Sequence, residues 1–135
     1  AYINRLTGRS SHVKKYKYNY LVGSCVILNN IGEIPLFDEG YFLYYEDADY
    51  SSLLRKAGYS LMYDGDNHFY HKVNASSKLN PQIESIKKES MIRFMRRNSN
   101  RFYNILFILV RISVYMLTMR ITEVQNLLRE YAKPL

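Results

Sequence analysis

The chain has 135 residues, 47% hydrophobic and 23% charged, which is enough core for a folded domain and unlike a disordered chain. Nineteen Lys and Arg against twelve Asp and Glu leave a net +7, which favours an anionic partner or surface. Its single cysteine, Cys25, excludes an internal disulfide framework and a cysteine-built zinc site, and reads as a small buried hydrophobe.

Residues 1–19 are polar and read as a loop entering a strand, with His12 as a loop histidine. The short β-branched run at 20–30 predicts a buried strand with a close backbone approach at Gly23. Gly32 and Pro35 then mark a turn. From Glu46 the apolar spacing becomes helical: Leu53, Leu54 and Ala57 share a face, acids fill the first turn, and Arg55 and Lys56 fill the last. Gly58 follows as a stop. Residues 60–64 alternate like a strand, 64–67 form a turn, and 68–73 predict another short strand, with His68 at the surface.

Residues 74–81 read as a linker. Residues 81–98 fit a basic amphipathic helix whose apolar members are Ile83, Ile86, Ile92, Phe94 and Met95. The run at 104–119 is apolar on nearly every side, yet shorter than the ~20 residues a membrane span needs and interrupted by Arg111. It is expected to lie in a membrane interface or against a partner. Two parts are therefore expected, 1–80 and 81–135, the second carrying ten basic and four acidic residues. Since the chain opens on Ala1 rather than Met, it is expected to be part of a longer protein.

The chemistry concentrates at Tyr44-Tyr45-Glu46-Asp47-Ala48-Asp49, where three carboxylates open a helix beside an aromatic run. Carboxylates there are favoured by backbone N–H groups and by the positive helix end, so they stay ionised, as a base for a hydroxyl must. On composition alone helix capping is the stronger explanation.

The order of the surrounding pieces resembles family 2 glycosyltransferases, in particular the acceptor-side half of non-processive, rhamnosyltransferase-like members. Gly23-Ser24-Cys25 matches the small-residue strand and Phe37-Asp38-Glu39 the Phe-Asp-Glu element. Glu46-Asp47-Ala48-Asp49 matches Glu-Asp-x-Asp, and Arg55-Lys56-Ala57-Gly58 the Arg-x-x-Gly helix end. His71 before Asn74-Ala75-Ser76-Ser77 matches the downstream histidine. The likeness covers about residues 20 to 100.

That resemblance implies an α/β chain: the carboxyl-terminal half of a nucleotide-sugar transferase type A (GT-A) fold, followed by two carboxyl-terminal helices. It implies transfer of one sugar from a nucleotide-sugar donor, with inversion, to a hydroxyl of a glycan or lipid-linked acceptor. Asp47 would be the general base and Glu46 a neighbouring site carboxylate that contacts acceptor hydroxyls or orients the loop. Tyr45 and Asp49 would flank the acceptor, Asp49 also serving as a cap. His71 would help hold a divalent Mg or Mn on the donor diphosphate, a cation that withdraws charge from the leaving group. The family's donor-side Asp-x-Asp and nucleotide-binding half have no match here, so the remaining metal ligands are expected outside this chain. Without Gln-x-x-Arg-Trp, the processive signature, single-sugar transfer is expected. The basic helix followed by an apolar one suits a cytoplasmic protein held peripherally on an anionic membrane, and equally a solvated helix whose apolar side packs on its own domain. The rival readings are an inactive truncated remnant and a basic membrane- or nucleic-acid-binding module; nucleic acid is not an expected partner, because the middle of the chain is acidic and carries no recognition motif.

Overall fold

A computed structural model describes residues 1–11, 19–29, 32–64, 66–70 and 82–134. These form a two-stranded hairpin, β1 (Tyr2–Ile3) and β2 (Ser10–Ser11), and four helices: α1 (Glu46–Lys56), α2 (Ile83–Asn98), α3 (Arg101–Leu117) and α4 (Ile121–Ala132). The strands pair antiparallel, with Tyr2 opposite Ser11 and Ile3 opposite Ser10. Between them the Asn4 side chain accepts from the N–H groups of Leu6 and Thr7, a turn in which a short amide replaces a backbone partner.

The helix ends explain themselves chemically. Gly58 takes a left-handed φ of 91°; its N–H reaches the Arg55 carbonyl and that of Tyr59 reaches Leu54. This paired closure satisfies carbonyls that α1 would otherwise leave open. At the start of α3 the Asn100 side chain accepts from the Tyr103 N–H at 3.0 Å, a regular N-cap. The turn from α3 to α4 repeats the α1 closure with Met119, φ 55°, in the glycine position.

Among the described residues one main cluster forms the core. Ile3 and Tyr20, with Tyr41, Tyr45 and Ala48 around α1, pack on Met91, Ile92 and Met95 of α2, Phe107 and Tyr115 of α3, and Leu127 of α4. It draws on both sides of the boundary expected at residue 80. Gly8, φ 69°, lies so close to Met91 and Phe107 that a Cβ would come within 3 Å of both.

Several local expectations are revised. The start of the chain holds a hairpin rather than a plain loop. Residues 20–29 run irregularly through a turn at Gly23 and Ser24, and residues 60–64 make no ladder. A strand is stable only with a neighbour to accept its N–H and C=O groups, and among the described residues neither segment has one. The helix from Glu46 ends as expected, and α2 occupies most of the basic stretch. The carboxyl-terminal part holds a third helix, α4, beyond the two expected.

Candidate functional site

Two consecutive tyrosines in the left-handed region, Tyr44 (φ 67°) and Tyr45 (φ 64°), turn the chain into α1. Such backbone costs about 1–3 kcal/mol per residue and persists only where packing over-determines it. Here Tyr45 is buried in the core, and its hydroxyl donates to the Gly8 carbonyl at 2.8 Å. The strained turn fixes the direction in which Glu46 and Asp47 leave the helix start.

Asp47 is partly buried. Its Oδ2 accepts from the Gly23 N–H at 3.1 Å and its Oδ1 from the Ala48 N–H at 2.8 Å. Among the described residues no Lys or Arg pairs with it. Burial pushes its proton affinity above the usual aspartate range, against the pull of those N–H groups. Glu46 is shifted upward as well, chiefly by burial and further by the Asp47 charge. Its Oε2 is buried without a hydrogen-bond partner among the described residues. Two adjacent carboxylates thus share a desolvated corner against the Gly23 turn.

Asp49 meets the opposite setting. It is 2% exposed, and its Oδ1 accepts from Asn98 Nδ2 at 2.5 Å and from Arg97 Nε at 3.4 Å. Arg97 also lies 3.3 Å from Asp38, which takes a two-pronged hydrogen bond from Arg93, both prongs 2.9 Å. That fork holds the Asp38 carboxyl below the ordinary value. Phe37, beside it, stacks on Tyr50 of α1 with ring centroids 3.9 Å apart. A Cβ at position 40 would run into the Arg93 guanidinium, so a side chain there requires the end of Arg93 to move against its fork on Asp38.

The structure therefore brings Gly23, Glu46 and Asp47 together on one side of the first turn of α1, and Asp38, Asp49, Arg93 and Arg97 on another. Tyr45 and Asp49, expected beside the acceptor, both have buried side chains, and their hydrogen bonds go to Gly8 and to α2. Cys25, expected inside, is exposed. His68 is exposed as expected, with Nδ1 3.2 Å from the Asp66 carbonyl. His71 and His12 lie outside the described residues. Among the described residues no group of three or more His, Cys, Asp or Glu is arranged to hold a metal ion.

Sequence reasoning did not assign the Asp38–Arg93–Arg97–Asp49 network. Its signal lies in the Phe37-Asp38-Glu39 element and in the arginines at 93, 96 and 97, which repeat at helical spacing. Comparison of the chain with protein-family models, with curated proteins and with solved structures finds no match. No helix among the described residues is long and apolar enough to cross a membrane.

Proposed function

We propose that this chain is the acceptor-side part of an inverting glycosyltransferase resembling family 2, one that moves a single sugar from a nucleotide-sugar donor to a hydroxyl of a glycan or lipid-linked acceptor. The observation that supports it best is Asp47. Its carboxylate is oriented by two backbone N–H groups, makes no ion pair with a described Lys or Arg, and is made more basic by burial, which outweighs those N–H groups and the nearby Ala1 ammonium. A general base needs both orientation and a proton affinity raised towards working pH. Contact between the Gly23 turn and Asp47 also joins two of the pieces on which the resemblance rests, although they lie 24 residues apart.

Glu46 stands beside the base to meet acceptor hydroxyls or hold the loop. The α/β reading belongs to the same proposal: residues 20–29 leave Val22, Val26 and Ile27 exposed, as a strand without its neighbour would. A divalent cation on the donor diphosphate, with His71 among its ligands, rests on the resemblance alone, and no step is derived through it. A cytoplasmic, membrane-peripheral setting is likewise proposed, since it suits a lipid-linked acceptor and a chain of net +7.

The test is Asp47→Asn in the intact enzyme, assayed for transfer from labelled nucleotide sugars and separately for donor binding. Transfer should fall about a hundredfold or more, with donor binding nearly unchanged. Wild-type turnover in the variant would remove Asp47 as the base.

A further inference from the structure

Helix α3 is turned the wrong way round for a helix facing water. Its one internal cation, Arg111, points to the protein, where its guanidinium donates to the Tyr115 hydroxyl at 2.7 Å and lies 5.0 Å from the ring centre. The opposite face carries Phe102, Ile105, Leu109, Met116 and Leu117, all from 51% to 84% exposed. Ser113 is its polar member, and α3 contains no carboxylate. Beyond the helix, Met119 and Ile121 are also exposed, at 88% and 61%, with Arg120 between them. A contiguous apolar face of this extent marks an interaction surface.

The charges around this face identify its partner. Arg101 and Arg120 are exposed at its two ends, and the Arg5 guanidinium lies over the Tyr103 ring near the first of them. The acids of the neighbouring α4 are occupied: Glu123 pairs with Lys88 and Glu130 with Lys133. A second copy docked face to face, with helices antiparallel, would set Arg101 against Arg120 with no acid between them, and like charges at an interface are repulsive. A plane of anionic headgroups over an apolar interior complements both features. Seventeen residues make a helix of about 25 Å, too short to cross a bilayer core of about 30 Å, so it would lie in the plane of the surface.

We propose that α3 and the α3–α4 turn form an in-plane membrane-binding face, with the α3 stripe and Met119 in the acyl boundary and Arg101 and Arg120 at the anionic headgroups. This makes α3, rather than the basic helix α2, the anchoring element: the α2 cations Lys88, Arg93 and Arg97 are committed to acids of the protein itself. The inference deepens the membrane-peripheral part of the proposed function and is independent of the sugar chemistry. Loss of vesicle binding would leave the Asp47 prediction intact, and an active Asp47→Asn enzyme would leave this one intact.

The chain has no tryptophan, so Leu109→Trp supplies a single reporter on the exposed stripe. With vesicles of phosphatidylcholine and phosphatidylglycerol its emission should shift to the blue, and brominated acyl chains should quench it. Leu109→Asp with Met116→Asp, both at exposed sites, should lower vesicle partitioning at least tenfold while leaving the far-ultraviolet circular dichroism and melting temperature unchanged. Arg101→Gln and Arg120→Gln should each cost about fivefold on anionic vesicles and nothing on pure phosphatidylcholine. Unshifted emission with anionic vesicles, equal partitioning of the double Asp variant, or a dimer in solution that this variant dissolves would each overturn the proposal.

Discussion

Asp47 and Asp49 stand two residues apart in the first turn of α1, and their surroundings treat them oppositely. Asp49 is buried against α2, where Arg97 and Asn98 take its charge and Asp38 and Arg93 extend the network. Asp47 accepts from the backbone N–H groups of Gly23 and Ala48, with the Ala1 ammonium acting from further off and no described Lys or Arg paired to it, at the edge of the loop that carries Gly23. Burial with a cation makes a carboxylate structural; burial without one raises its proton affinity and leaves it reactive. What separates the two is therefore which neighbours each lacks, a distinction that three acids in one helical turn do not announce.

The comparison breaks most visibly if the two residues are exchanged in their effects. If the chain is the transferase part proposed above, Asp47→Asn should lower transfer by about a hundredfold or more and should raise thermal stability at neutral pH, or leave it unchanged. Asp49→Ala should do the reverse. It strands Asn98 and weakens the hold of Arg97, at a cost of about 2 kcal/mol in chemical denaturation, and it lowers activity only in so far as α1 loosens from α2. A stable Asp49→Ala protein with lost transfer would place Asp49 in the site instead.

The dependence of stability on pH sharpens the contrast. Burial raises the folded-state pKa of Asp47 above that of an ordinary aspartate, so its contribution is fully present below the unfolded value and is lost as pH rises through the folded pKa. The stability advantage of Asp47→Asn over the wild type should accordingly open with rising pH. The Asp38 pKa is lowered, first by the Arg93 hydrogen bond, so its contribution is present above the unfolded value and is lost as pH falls through the folded one. Asp38→Asn should therefore be most destabilised at neutral pH, and its deficit should close in acid. Melting curves of the two variants between pH 3 and 7 should diverge from the wild type in opposite directions; parallel curves would show that the two carboxylates share one environment.

Much of this arrangement is local and therefore readable from the residues: the acids opening α1, its basic last turn and the glycine that closes it. What escaped reading is non-local or unpunctuated. Whether residues 20–29 become a strand depends on a neighbour that no local pattern encodes. The inward turn of Asp49 and Tyr45 depends on Gly8, Arg97 and Asn98, which are distant in sequence. Helix α4 was hidden because no Gly or Pro separates it from α3. Its own signal was present in Ile121, Val124, Leu127, Leu128 and Tyr131, spaced as one helical face, while the turn before it uses Met119 where glycine is usual.

The smallest expected effect tests the contact that separates Asp47 from Asp49 most directly. A Cβ at Gly23 would approach the Asp47 Cβ to 3.1 Å, so in Gly23→Ala the exposed loop must retreat by a few tenths of an ångström and stretch the N–H bond to Oδ2. Because the loop is held by few contacts, the stability cost should stay below about 1 kcal/mol. The kinetic consequence should be larger than the structural one. That N–H lowers the Asp47 pKa, so weakening it should carry the acid limb of the kcat/KM profile upward, while looser aim lowers kcat several-fold at its plateau. An unmoved limb and an unchanged kcat would mean that the Gly23 turn merely packs beside the base and does not position it.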